Sequence, residues 1–175
     1  MNTQTQTDET QKTNLIQDIS VTFENLYAAL QAIGEEKLDC SPAPNSWSAG
    51  QVAEHLIKGM GNIGGMGVKT AAAHRPKDAK VAAIKDLFLD FTTKLSSPEF
   101  ILPTAHKHDL KQQLHMLKSI EEQHQGMAED ADLSLESLVF ELPGFGTFTL
   151  YEWIVFNIVH AQRHTHQLQK IRQSI

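Results

Sequence analysis

Apolar residues recur at steps of three, four and seven along several long segments, and this spacing constrains the fold more than any other feature of the chain. Such spacing places the apolar side chains on one face of an α-helix. The predicted helices span about residues 14–33, 48–66, 81–95, 109–127 and 149–172. Four of them are long, the one over 81–95 is shorter, and loops separate them. The pattern therefore predicts an all-α protein built as a helical bundle.

Two helix starts carry a capping box, in which a Ser or Thr side chain and a Glu or Gln three residues later satisfy free backbone amides. Ser48 with Gln51 forms one such pair, and Thr149 with Glu152 forms the other. Between helices, residues 137–148 are rich in β-forming residues around a Pro-Gly-Phe-Gly sequence. This segment is either an irregular loop or a small hairpin, and the sequence leaves both open.

Length and composition limit the class of protein. The 175 residues fit one domain, which we expect over residues 13–175 behind a polar, disordered tail at 1–12. The net charge of −6 with scattered basic residues argues against a nucleic-acid surface. No apolar run is long enough to span a membrane, and a lone Cys40 gives no sign of an oxidising compartment. We therefore expect a cytoplasmic protein that binds neither nucleic acid nor membrane.

Two histidines one helical turn apart, His160 and His164, are the clearest chemical signal. Residues at i and i+4 share one face of a helix, so their imidazoles can converge on one cation. A third ligand must come from elsewhere, and His55 in the second helix is a candidate. On a helical projection all three lie at the border between the apolar stripe and solvent. Ordinary hydrogen-bonded border histidines would show the same pattern.

Two amides accompany these histidines. Asn157 precedes His160, and Gln51 precedes His55, each by about one helical turn. They are either ordinary border amides or groups that orient a water molecule or a ligand. The other histidines predict less: His106 and His108 flank a lysine in a loop and look solvated, and His124 is expected at a helix end rather than as a fourth ligand.

The chain resembles the DinB-like family of helical bundles, which includes YfiT-type metal-dependent hydrolases. Three segments carry the resemblance: Pro44 to Leu56 with its Trp-Ser and His-Leu pairs, the turn Leu142–Thr147, and His160–Leu168 with its terminal histidines and Gln-Leu. The glycine-rich continuation of the second helix, residues 59–67, departs from the family pattern and leaves the expected pocket wall beyond His55 in question.

The resemblance implies a metal site made of His55, His160 and His164 in an up-up-down-down four-helix bundle, and a homodimer. Three imidazoles leave a coordination position for water or a small-molecule substrate. The expected ion is divalent, zinc or nickel first. It would serve a hydrolase, or an S-transferase that uses a low-molecular-weight thiol. The alternative is a non-catalytic interaction or stress-response module with a structural or vestigial metal. Ordinary histidines would lose the metal as the pH falls through about 6.5.

Overall fold

The computed structural model describes the backbone of residues 3–175 and the side chains from Glu9 onward, and it is mostly helical. This confirms the all-α class predicted from the periodicity. The described part of the chain contains five α-helices: α1 (Thr3–Ile33), α2 (Ala49–Met60), α3 (Val81–Phe88), α4 (Leu110–Asp130) and α5 (Leu150–Ser174). Short 3-10 helices lie at Glu35–Lys37, Ile63–Gly67 and Glu99–Ile101.

Both predicted capping boxes are present. The Ser48 hydroxyl accepts from the Gln51 amide, and the Gln51 side chain accepts from the Ser48 amide. Thr149 and Glu152 make the same exchange at the start of α5. These bonds satisfy amides that the first turn of a helix leaves free, so both helices begin where the sequence predicts.

Three boundaries differ from the predictions. Helix α1 begins at Thr3, where the sequence predicts a disordered tail; Lys12 donates to the backbone carbonyl of Glu129, which holds this part of α1 against the end of α4. Residues 1 and 2 lie outside the described residues. Helix α2 ends at Met60 because Gly61 caps it and the glycine-rich stretch continues as a 3-10 helix.

Helix α3 ends at Phe88, seven residues before the predicted end at Leu95. The Asp90 carboxylate accepts from the backbone amide of Thr92 at 3.0 Å and from the hydroxyls of Thr92 and Thr93. Such local side-chain bonds compete with helical hydrogen bonds. The apolar periodicity therefore continues beyond the point where the backbone leaves the helix.

Two short strands, β1 (Thr70–Ala72) and β2 (Leu135–Ser137), pair antiparallel, with Ala71 opposite Glu136. The segment over 137–148, which the sequence left open, is mostly irregular. It contains one tight turn in which Leu142 and Gly146 exchange backbone hydrogen bonds of 3.1 and 2.9 Å. The positive φ angle of Gly146, 71°, explains the glycine at that position.

Helices α1 and α2 each pack against both α4 and α5, and α3 packs against α5. The predicted apolar stripe of α1 is buried in the main core: Leu15, Ile19, Phe23, Leu26, Leu30 and Ile33. A second apolar cluster forms around Phe148, Trp153 and Phe156 under the connections between helices. None of the described helices combines the length and hydrophobicity that crossing a bilayer requires.

Candidate metal centre

The ring nitrogens of three histidines converge between helices α2 and α5. The Nε2 atom of His160 lies 3.1 Å from Nε2 of His55 and 3.1 Å from Nε2 of His164. All three side chains are buried, and their nearest ring nitrogens lie within 4.8 Å of one another. The structure therefore brings together the three predicted ligands.

The outer nitrogens of two of these rings have their own acceptors. His55 Nδ1 lies 3.0 Å from the backbone carbonyl oxygen of Ile101, and His164 Nδ1 lies 2.8 Å from Oε1 of Gln167. Because these oxygens only accept, Nδ1 carries the proton in both rings. Each Nε2 is left with a free lone pair that points towards His160. Metal-binding histidines are held in the same way by a hydrogen bond from the distal nitrogen.

The three neutral rings carry too few protons for hydrogen bonds to explain both contacts between Nε2 atoms. A neutral His160 has one proton, so its Nε2 can donate to only one of its two neighbours. At least one contact of 3.1 Å between Nε2 atoms then joins two lone pairs. A shared cation removes this conflict. Zinc with nitrogen ligands at about 2.0–2.1 Å in a tetrahedral arrangement separates them by about 3.3 Å, close to what is observed.

Burial keeps all three histidines in the neutral form that binds metals. It lowers the pKa of His55 and, with help from neighbouring positive charge, lowers the pKa of His164 to about 3. The pKa of His160 also lies well below its usual value, first because of burial and then because of His164 and His55. Because burial makes these rings harder to protonate than ordinary histidines, we expect protons to displace a metal from them at a lower pH than about 6.5.

A cavity of about 920 Å³ opens onto the three histidines. Its size falls in the range of small-molecule sites, roughly 300–1,000 Å³. Trp47 from the loop before α2 lies over the His55 ring at 5.0 Å between centroids, and Phe156 stacks on His160 at 5.5 Å. The departure noted at the glycine-rich stretch leaves space here: a Cβ atom on Gly59 would sit 3.4 Å from the His160 ring. The position of Gly59 therefore widens the cavity beside the metal site.

The two amides that the sequence offered as orienting groups bond elsewhere. Gln51 caps helix α2 and donates from Nε2 to the backbone carbonyl of Thr104 at 3.1 Å. Asn157 is buried and lies 2.9 Å from His124 Nε2. Gln167 and the Ile101 carbonyl make the bonds to the ligand rings instead. The Gln167 position lies within the recognised His-Gln-Leu segment, whereas nothing local in the sequence marks Ile101.

The predictions for the remaining histidines are mixed. His106 is exposed, as expected, but His108 is 5% exposed and not solvated. The reason is a pair of carboxylates distant in sequence: His108 Nδ1 lies 2.5 Å from Asp39 and Nε2 lies 3.1 Å from Glu54. His124 is fully buried and bonds to the Ile120 carbonyl and to Asn157, so it is no fourth ligand.

Sequence reasoning also missed Arg163, which lies between the two ligands of α5. Its guanidinium donates to the backbone carbonyls of Phe88 and Asp90 at 3.1 and 2.9 Å, and to that of Thr93. Three carbonyls of one loop therefore bind one arginine, which fixes the loop after α3 as a wall of the cavity. In the sequence, the one local sign of this role is the side of helix α5 on which Arg163 falls.

The chain is thus a mostly helical protein in which three converging histidines that could hold a metal ion face a largely apolar cavity. The family model of the DinB superfamily matches residues 19–168, so the chain belongs to the DinB superfamily. This confirms the resemblance read from the three motifs, and the matched range includes His55, His160 and His164.

The chain is also similar to a curated protein. The chain is 28% identical over 153 residues to the uncharacterized protein YuaE of Bacillus subtilis (strain 168), covering 83% of this chain and 90% of that protein. No solved structure matches the chain significantly.

Proposed function

We propose that this protein is a metal-dependent enzyme that holds a divalent ion, zinc or nickel, on His55, His160 and His164. The observation that carries the proposal is the proton deficit in the cluster: two Nε2 lone pairs face a third Nε2 at 3.1 Å. The adjoining cavity supports a catalytic rather than a structural ion, because structural zinc sites are closed by four protein ligands.

A bound ion of this kind supplies Lewis-acid chemistry, which lowers the pKa of a thiol or a water molecule. The protein's own residues keep the ligand rings neutral and oriented, and the aromatic walls limit the access of bulk water. Hydrolysis by a metal-bound hydroxide is often assisted by a neighbouring carboxylate that acts as a general base. The described residues that line the cavity include no Asp or Glu. We therefore place transfer of a low-molecular-weight thiol to an electrophilic substrate first and hydrolysis second.

The architecture and setting belong to the same proposal. The packing of α1 and α2 against both α4 and α5 supports an up-up-down-down four-helix bundle. A homodimer and a cytoplasmic location remain proposals from the resemblance and from the composition. Sedimentation analysis of the purified protein tests the dimer.

Turnover by zinc-loaded and nickel-loaded protein tests the function. The thiol-transfer assay offers monochlorobimane as electrophile with cysteine or glutathione as thiol, and the hydrolysis assay offers p-nitrophenyl acetate. We expect metal-dependent thiol transfer that His160→Ala abolishes. His115→Ala is the matched control, because His115 is an exposed histidine of α4 that neither lines the cavity nor belongs to the cluster.

Each other outcome is informative. Ester turnover without thiol transfer would move the function to the hydrolase class. A protein that binds the ion and gains thermal stability, yet turns over neither substrate, would favour the non-catalytic module. Equal turnover by wild type and His160→Ala would contradict a role of this site in catalysis.

A further inference from the structure

The wall of the cavity is unusually rich in aromatic side chains. Both tryptophans and six of the eight phenylalanines of the chain line it: Trp47, Trp153, Phe88, Phe91, Phe100, Phe140, Phe145 and Phe156. Five large apolar side chains at the cavity remain open to solvent: Phe91 42%, Leu95 38%, Phe100 66%, Leu102 42% and Val139 42% exposed. Exposed apolar groups gathered at one cavity mark a site for an apolar ligand.

The charged side chains that line the same cavity wall are all positive. Its charged residues are Lys58, Lys94, Arg163 and Lys170, and no carboxylate occurs among the described residues that line it. The chain as a whole carries a net charge of −6, so the charge at this wall is opposite in sign to the net charge of the protein. A cavity with charge of one sign and apolar walls concentrates ligands of the opposite sign.

Three of the four cations keep their positive charge uncompensated. Lys58 is paired with Glu54 at 2.8 Å. Arg163 is bonded to backbone carbonyls, which are neutral. No carboxylate in the described part of the chain pairs with Lys94 or Lys170, and both are exposed at the cavity. Attraction for an anion is therefore available from Lys94, Arg163 and Lys170.

The buried polar atoms without partners on this wall are donors as well. Trp153 is 3% exposed, and its Nε1–H has no acceptor among the described residues. His160 Nδ1 is also without a partner, and it carries the proton when Nε2 faces a cation. A buried donor without an acceptor costs about 1–3 kcal/mol, but both atoms are closed to solvent, so a ligand in the cavity does not reach them while the side chains stand as they do.

We infer that the substrate of this site is a small organic anion with an aromatic-sized apolar body, a carboxylate being the simplest case. The body lies against the aromatic walls, and the negative group lies at Lys94, Arg163 and Lys170. This inference rests on the proposed function for the reaction, but the binding preference it describes does not need the ion. Cationic ligands are disfavoured, because the charged side chains that line the cavity are positive.

Three naphthalene probes that differ in one group test the preference: naphthylacetate, naphthylethanol and naphthylethylamine. Calorimetry on metal-free and zinc-loaded protein gives each dissociation constant. We expect the acid to bind roughly three- to tenfold more tightly than the alcohol in both forms, and the amine to bind weakest. Added salt reduces the advantage of the acid, because exposed charges are screened.

The double variant Lys94→Gln with Lys170→Gln is expected to lose most of that advantage while binding the alcohol as before. Lys111→Gln is the matched control, because Lys111 is an exposed lysine of α4 that does not line the cavity. A zinc titration of every variant accompanies these measurements. It shows whether a loss comes from the cations or from the metal site.

The outcomes separate the two proposals. Equal binding of acid and alcohol by a protein that binds zinc would overturn the inference and leave the proposed function intact. A protein without triad-dependent zinc binding that still prefers the acid would overturn the function and support the inference. A preference for the acid that appears only with zinc, and survives loss of both lysines, would overturn the inference, because the ion alone would then hold the anion.

Discussion

Among the residues that the structure describes, two groups of side chains could hold a metal, and they differ in what their ring nitrogens face. In the first group, His55, His160 and His164 turn their Nε2 atoms towards one another. In the second group, which contains Glu54, His106 and His108, the His108 ring lies between carboxylates, with Nδ1 2.5 Å from Asp39 and Nε2 3.1 Å from Glu54. Judged by residue type alone, both groups are candidate metal sites.

Hydrogen-bond partners decide between them. In the second group Glu54 accepts from Lys58, His108 and Thr104, and although partial burial raises its pKa, these bonds outweigh burial and lower the pKa to about 2. A His108 ring that carries both protons donates to both carboxylates, and this group then needs no metal ion. It joins the loop at Asp39, helix α2 and the segment before α4, which is a structural role. In the first group the ring nitrogens face one another instead of carboxylates, and neutral rings leave at least one pair of lone pairs in contact.

The largest expected difference lies in metal content. We expect His160→Ala and His164→Ala each to lower zinc affinity by more than about a hundredfold, because loss of a ligand costs more than the roughly 10–100-fold seen for an outer hydrogen-bond partner. Elemental analysis should show one zinc per wild-type chain and almost none in either variant. His108→Ala should keep its zinc. Stoichiometric metal in both α5 variants would remove the three-histidine site.

For the free energy of unfolding we expect the opposite order, with the larger loss in the second group. His108→Ala leaves Glu54 and Asp39 facing each other without the ring, and we expect the free energy of unfolding to fall by about 2–3 kcal/mol. That is below the range for fully buried pairs, because Asp39 is partly exposed. The exposed neighbour provides the control, since His106→Ala should change stability by less than about 0.5 kcal/mol. Urea unfolding of metal-free protein measures both. Equal, small losses would mean that the carboxylate contacts contribute little.

The bonds behind the ligand rings give a smaller, separate effect. Gln167→Ala removes the acceptor of His164 Nδ1, and zinc affinity should fall about 10–100-fold. Gln167→Glu retains an acceptor and should retain most of the affinity. Gln51→Ala is the comparison, because Gln51 bonds to Ser48 and Thr104 rather than to a ligand. Chelator competition measures all three. Similar losses in Gln51→Ala and Gln167→Ala would show that the Gln167 contact does not support the site.

Much of the fold follows from local sequence signals. The apolar spacing predicts the helices, and the Ser48 and Thr149 capping boxes fix two helix starts. Helix ends are less predictable, because they depend on competition between apolar spacing and local bonds such as those of Asp90. The first part of α1 also makes a contact that local sequence does not predict, from Lys12 to the backbone of Glu129, 117 positions away in the chain.

The site residues also divide into those that the local sequence predicts and those that it does not. His160 and His164 are visible because their spacing of four residues is itself a geometric constraint. The helical projection placed His55 at a compatible border, and the family motifs completed the set. The burial of His108 was not visible, because Asp39 lies 69 residues away and no periodicity links them. The cavity walls also come from loops, where spacing carries little information.

Two glycine substitutions test how tightly the second group, around His108, is packed. A Cβ atom at Gly50 would lie 2.7 Å from the His108 ring and 2.8 Å from the Asp39 carboxylate. We expect Gly50→Ala to destabilise the protein by about 1–2 kcal/mol, since a crowded site must shift. Gly126, within α4, has no atom within 4 Å of such a Cβ. Gly126→Ala should therefore stabilise by up to about 1 kcal/mol, the usual gain in a helix interior. Equal changes in stability would indicate that the His108 junction is not tightly packed.

The smallest expected change is in the pH dependence of zinc binding. Three histidines with ordinary pKa values near 6.5 would lose roughly a thousandfold in affinity between pH 7.5 and 5.5. Because burial lowers the pKa of His55, His160 and His164, we expect a loss of less than about tenfold.

The cost of this resistance to protonation appears in the stability of the metal-free protein. Its unfolded chain takes up protons near pH 6.5, whereas folded His164 takes one up only near 3. Stability is therefore full above pH 6.5 and is lost as the pH falls towards 3. Chelator competition and urea unfolding at matched pH values separate the two effects. A thousandfold loss of zinc affinity by pH 5.5 would mean that the rings are solvated like ordinary histidines, and the contrast with the carboxylate-bonded group would then lose its electrostatic basis.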